Sequence, residues 1–194
     1  MAALLSGEVD PLALIQKYYR ADGELYAILV THSRLVAEKA LAVARRVAHL
    51  GPDLKFIREA ALLHDIGIFL TYFPEIGCYG SYPYICHGYL GRELLEKEGL
   101  PRHALVCERH VGVGITREEI EKRGLPLPPR DMVPVTLEEE IVCFADKFFS
   151  KDPKQLTVEK SPVAIKQGLS DFGPEKVAQF EAWLERFKES LTGQ

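Results

Sequence analysis

The residues of this chain whose types and spacing invite chemistry are histidines and aspartates set inside apolar stretches. In Arg58–Phe69, REAALLHDIGIF, an adjacent His64-Asp65 pair interrupts an otherwise apolar run. A buried carboxylate without a partner is costly, so Asp65 needs a cation or a set of donors. His32 falls in an apolar stripe with Leu25, Ile28, Leu29, Val36, Val43 and Val47. His87 shares a predicted face with Leu90 and Leu94, and His110 with Leu105 and Val106. Asp146 stands between Val142 and Phe149, four and three residues away. Taken singly, each is more often a hydrogen-bonded core residue than a ligand. As a set, they occupy the inward faces of five predicted helices, and packing those faces together would gather six polar groups in one place. A metal centre removes that cost.

Four imidazoles and two carboxylates suit Mn, Fe, Co, Ni or Zn, whereas Mg prefers more oxygen. Six side chains exceed the needs of one open catalytic ion. They fit two divalent ions that share a bridging carboxylate, and Asp65 has the two oxygens for it. The other two histidines read as structural: His49 in a last helical turn, serving exposed carbonyls, and His103 in a first turn beside Arg102, expected to face solvent.

The elements that must position these groups are helices. Asp10-Pro11 opens a short one to about Arg20, and a long one runs from Glu24 to about Leu50, ended by Gly51-Pro52. The next, Leu54 to about Ile66, is expected to close on a left-handed Gly67. Residues 71–86 read as a loop in which Tyr72, Tyr79, Tyr82 and Tyr84 either pack the loop down or face substrate as a lid. Helices follow at Cys86–Glu98 before Gly99, and at Pro101–His110 before Gly112. Thr116 with Glu119, and Thr136 with Glu139, form capping-box patterns, the second starting a helix to about Ser150. The prolines of 124–134 impose irregular chain. Short helices are expected after Pro153 and Pro162. A last helix, Pro174 to about Leu191, carries Val177, Phe180, Leu184, Phe187 and Leu191 beside Trp183 as a core or partner stripe. The expectation is an all-α single domain, with a core of about 24–150 and C-terminal helices (about 153–191) packed on it.

A formal net charge of -4 argues against a protein that works by covering nucleic-acid phosphates, although bound metal can still make a positive pocket. Cys78, Cys86, Cys107 and Cys143 lack CxxC pairing and read as reduced thiols. The start MAALLSGEVD lacks the form of a signal peptide, and no run approaches the roughly 18 apolar residues of a membrane span. A soluble, cytoplasmic protein without a membrane partner is expected.

The order H…HD…D, here His32, His64-Asp65 and Asp146, with the local form HDIG at 64–67, resembles the HD superfamily of metal-dependent phosphohydrolases. His87 and His110 match its binuclear members. Residues 28–150 carry the resemblance, and RHVGVGITREE, GLP and VPVTLEEEIVCFADK are similar to a small HDIG group of predicted phosphohydrolases. The GYP motif of cyclic-dinucleotide enzymes is absent, since Gly88-Tyr89-Leu90 follows His87. The resemblance implies an HD-domain helical bundle in which His32, His64, Asp65 and Asp146 hold one ion. Asp65 would bridge to a second, completed by His87 and His110. It implies hydrolysis of a phosphate ester or anhydride of a small, nucleotide-like substrate, a nucleotide or dinucleotide, by metal-activated hydroxide. Asp65 and His64 would act at the reacting centre with Lys147, and Lys147, Arg109 and Arg117 would meet the phosphate. Two rivals share the ligand set: a di-iron oxygenase of the inositol oxygenase kind, and a metal-stabilised regulatory domain. The sequence leaves the oligomeric state open, a dimer included.

Overall fold

The computed structural model describes residues 9–188. Among these, helices dominate. The Asp10 carboxylate accepts the amides of Leu12 and Ala13 and so caps α1 (Pro11–Tyr18). In α2 (Glu24–Arg46) the stripe from Ile28 through His32 and Val36 to Val43 is buried. This helix stops short of Leu50: a 3-10 turn, Ala48–Leu50, carries an exposed His49 and ends at Gly51, φ +70°.

Asp53 caps α3 (Leu54–Leu63), which unwinds at His64, earlier than its apolar pattern predicts. Gly67 is not left-handed (φ -84°). Its lack of a side chain serves a close approach instead. A Cβ there would sit 2.3 Å from the His87 carbonyl oxygen and 2.6 Å from the Gly91 amide nitrogen. The glycine of HDIG therefore lets the next helix press its backbone against the His64-Asp65 turn.

The stretch read as a loop contains a small sheet. β1 (Thr71–Phe73) pairs antiparallel with β2 (Cys78–Tyr79) and parallel with β3 (Tyr82–Pro83), in the order β2-β1-β3. Strands of two or three residues are too short to show a period of two, which is why the pattern hides them.

There follow α4 (His87–Lys97), α5 (Pro101–Arg109), α6 (Arg117–Arg123), α7 (Leu137–Asp146), α8 (Pro162–Ser170) and α9 (Pro174–Arg186). Thr116 and Glu119 close a reciprocal capping box on α6. At α7 only half of one forms. Thr136 accepts the Glu139 amide, while the Glu139 carboxylate accepts the Val135 amide and holds Arg109. Residues 153–157 form turns rather than a helix, and Leu191 lies outside the described residues.

Helix α2 packs on α3 and α7, α3 also meets α5 and α7, and α4 lies along α5. The α9 stripe is core. Phe180, Trp183, Leu184 and Phe187 are buried with Phe144 and Phe148, and Phe144 stacks on Phe180 with centroids 5.3 Å apart. The sequence-based expectation of an all-α bundle holds, the small sheet apart. All four cysteines are buried free thiols. Among the described residues, no helix is long and apolar enough to cross a membrane.

Candidate metal centre

Six side chains converge where α2, α3, α4, α5 and α7 meet. His32 comes from the middle of α2. The others stand at helix ends. His64 caps α3, with Asp65 next; His87 opens α4; His110 caps α5; Asp146 is the last residue of α7. Three helix C-termini thus contribute side chains to the cluster, and the negative pole at each favours a cation.

Three of the histidines are oriented by one device, the carbonyl three residues earlier. His64 Nδ1 lies 2.6 Å from Ala61 O, His87 Nδ1 2.6 Å from Tyr84 O, and His110 Nδ1 2.7 Å from Cys107 O. A carbonyl only accepts, so each contact assigns a hydrogen to Nδ1; His87 and His110, which burial keeps neutral, then carry a lone pair on Nε2. Thiols brace the same backbone: Cys107 Sγ donates to His64 O at 2.9 Å and Cys143 Sγ to His110 O at 3.3 Å. Burial pushes the Cys143 thiol up to about 12 and raises that of Cys107, so both stay protonated and inert.

The Nε2 atoms of His87 and His110 face each other at 3.1 Å. With both Nδ1 atoms already donating, two lone pairs meet there, an arrangement that calls for a cation between them. Asp65 divides its oxygens between two groups. Oδ2 lies 3.2 Å from His32 Nε2 and 3.1 Å from His64 Nε2, while Oδ1 lies 3.4 Å from Nε2 of His87 and 3.4 Å from that of His110. Asp146 Oδ1 is 3.0 Å from His32 Nε2 and 3.3 Å from His64 Nε2. Two groups that could each hold an ion result, His32-His64-Asp65-Asp146 and Asp65-His87-His110, with Asp65 common to both. His64 Nε2 and Asp65 Oδ1 are buried without a well-formed hydrogen bond. Such orphaned atoms in a nitrogen–oxygen donor set fit divalent transition metal.

Burial disfavours the charged form of Asp65, but His64 and Lys151 outweigh it and hold the carboxyl well below the usual range. Lys147 and Lys151 do the same for Asp146. Burial also pushes His64 down, yet the neighbouring Asp65 and Asp146 bring it up to about 9. Burial takes His87 down to about 3 and lowers His110 too.

Lys147 Nζ is 2.8 Å from Asp146 Oδ2 and donates to His110 O at 3.3 Å. Lys151, which sequence reasoning missed, reaches Asp65 Oδ2 at 2.7 Å. Burial lowers its pKa, but Asp65, Tyr84 and Asp146 more than reverse this and raise it. Had α7 run to Ser150 as predicted, Lys151 would have read as a frayed end. The chain instead turns after Asp146 and brings the ammonium back.

The two arginines expected to meet substrate are engaged elsewhere. Arg109 Nη1 donates to both Glu139 oxygens at 2.9 Å, and Arg117 pairs with Glu121 at 2.7 Å on the exposed face of α6. His103, expected to face solvent, is buried, with Nε2 3.1 Å from Glu59 Oε2. A carboxylate 44 residues away in sequence explains its position. A cavity of about 430 Å³ opens from the cluster, bordered there by Tyr84, His87, His110, Asp146, Lys147 and Lys151. Of the four tyrosines only Tyr84 borders it. Tyr72, Tyr79 and Tyr82 are exposed on the small sheet.

Fold and site together define an all-α domain built around a shared histidine–aspartate cluster. The HD domain family model matches residues 29–150, and the chain belongs to that family. It is 40% identical over 121 residues to an uncharacterized protein of Methanocaldococcus jannaschii, a match covering 61% of this chain and 64% of that protein. It is also 32% identical over 192 residues to a tRNA (cytidine(56)-2'-O)-methyltransferase of Thermoplasma volcanium, covering 98% of this chain but 49% of that one. The chain therefore spans about half to two thirds of the length of these relatives. Among solved structures, the HD domain of the L. monocytogenes phosphodiesterase PgpH shares the fold. The form in complex with cyclic-di-AMP has a TM-score of 0.53 at 16% identity, covering 91% of this chain and 94% of that one. The other form has a TM-score of 0.51 at 16% identity, covering 88% and 92%.

Proposed function

We propose that this chain is a metal-dependent phosphohydrolase that cleaves a phosphate ester or anhydride of a small, nucleotide-like molecule. The observation that carries the reading is the division of Asp65, one oxygen toward His32 and His64 and the other toward His87 and His110. His32, His64, Asp65 and Asp146 would hold one ion; Asp65, His87 and His110 a second. When bound, two divalent ions acidify a coordinated water and neutralise charge on a phosphoryl group.

The protein's own part is positioning. The Nδ1 contacts fix the imidazoles of His64, His87 and His110, so little reorganisation accompanies reaction. Lys147 and Lys151 border the cavity and would neutralise and orient the phosphate oxygens, the main demand of phosphoryl transfer. Lys147 carries this role as the sequence suggested, and Lys151 would join it, while Arg109 and Arg117 hold Glu139 and Glu121 instead. The lysines also favour an anionic substrate over the neutral one of an oxygenase. PgpH's HD domain, in complex with cyclic-di-AMP, supports a nucleotide-like ligand. The methyltransferase name belongs to relatives of about twice this length. A methyl-transfer activity can lie in the part this chain does not match.

The test is metal analysis of the purified protein beside a Mn-supplemented turnover screen of nucleotides, dinucleoside polyphosphates and p-nitrophenyl phosphate. Phosphate release that chelator abolishes and Mn restores is the expected result. Metal-loaded protein that turns over none of these, or that consumes oxygen without releasing phosphate, would overturn the proposal.

A further inference from the structure

The HD family match ends at residue 150, yet the cavity beside the cluster does not. Leu169, Phe172 and Lys176, from α8, α9 and the turn between them, complete its wall. The facing contributions of Val111, Val113 and Ile115 are apolar. Lys176 and Glu119 at that end are engaged with each other. Lys176 Nζ lies 2.7 Å from Glu119 Oε2 and 2.8 Å from Gly114 O. What remains for a ligand is apolar surface and one aromatic face. Phe172 is 56% exposed, so its ring is open to solvent at the cavity edge. The Arg123 guanidinium lies 5.7 Å from its ring centroid and also borders the cavity.

We propose that Phe172, with Leu169 beside it and Arg123 across its ring, is the stacking face for the base of a nucleotide whose phosphate lies at Lys147 and Lys151. The inference rests on the phosphohydrolase reading for the phosphate end. It assigns substrate selectivity to the C-terminal segment rather than to the HD core. It also moves the aromatic contact away from the tyrosine-rich stretch, where the sequence pattern suggested it. Stacking is tolerant of base identity because every base presents a π face, so purine and pyrimidine nucleotides should both be accepted.

The probes are phosphonate analogues of AMP and CMP, in which carbon replaces the ester oxygen and blocks hydrolysis, and the same ribose phosphonate without a base. Binding to Mn-treated protein is read by titration calorimetry. Phe172→Ala should weaken both base-bearing analogues by about 5- to 150-fold and leave the baseless one unchanged. Phe172→Trp should restore affinity. An exposed position makes loss of folding improbable, and an unchanged Tm checks this. Equal weakening of all three analogues, no weakening, or no binding of either base-bearing analogue to the unmutated protein would overturn the inference. Phosphate-ester turnover, measured separately, keeps the two proposals apart. Turnover with Phe172-independent binding sinks only the subsite. Phe172-dependent binding without turnover sinks only the hydrolase reading.

Discussion

Helix α3 carries two buried histidine–carboxylate arrangements a few residues apart. Near its middle, Glu59 accepts His103 from α5 with one oxygen and has the exposed Lys55 3.9 Å from the other, beside the Phe56 ring, over which Arg102 lies at 4.1 Å. Just past its end, His64 and Asp65 meet His32, His87, His110 and Asp146. The first arrangement is satisfied within itself. The second leaves His64 Nε2 and Asp65 Oδ1 without good partners and sets two imidazole lone pairs face to face. Burial alone therefore does not mark a functional histidine. The distinguishing feature is a surplus of acceptors that only a cation can reconcile.

Asp65→Ala is the most direct way to break this contrast. Removing the carboxylate shared by both ligand sets should lower bound metal at both and reduce kcat by more than roughly a thousandfold, the loss expected at one ion alone. Metal analysis showing the unmutated ion count would refute the bridging role.

His110→Ala should act on one set only. Metal content should fall from about two ions per chain towards one without unfolding. The kcat should drop roughly a thousandfold, corresponding to ~4 kcal/mol, with partial recovery in excess Mn. About one ion per chain in fully active, unmutated protein would sink the two-ion reading.

Lys151→Met sharpens the comparison from the substrate side, because the lysine beside Glu59 is the exposed Lys55 at 3.9 Å, whereas Lys151 is held against Asp65 at 2.7 Å. Loss of a charged hydrogen bond to phosphate, about 1.5–3 kcal/mol, predicts a roughly 10- to 150-fold fall in kcat/KM with the metal count retained. Unchanged kcat/KM would remove Lys151 from the site.

The smallest effect belongs to the satisfied pair. His103→Gln should leave metal content and kcat unchanged and cost about 1–3 kcal/mol of stability, with Tm falling roughly 2–4 °C for each kcal/mol. Burial holds the pKa of His103 below its ordinary value, partly countered by Glu59. Below a pH of about 6.5 the unfolded chain therefore binds a proton that the folded chain resists, and stability falls as pH drops. Tm against pH should be shallower for His103→Gln as pH falls below about 6.5. Loss of metal in this variant would mean that the two arrangements are coupled after all.

Local chemistry wrote much of this molecule into its sequence. The Asp10 cap, the Thr116–Glu119 box and the glycines closing α4 and α5 are set by contacts within a few residues. The inward direction of His32, His87 and Asp146 follows from the helical period, that of His64 and His110 from the last turn they cap, and with Asp65 just beyond a helix end all six are buried. Tertiary structure decided the rest. Gly67 owes its identity to the backbone of α4, and His103 its burial to Glu59. Arg109 is withdrawn from the site by Glu139, 30 residues on. Lys151 and Phe172 border the cavity only because the chain turns back after α7 and α8. Periodicity reports which way a side chain points from its own helix. It is silent about what another segment, brought close by folding, places in front of it.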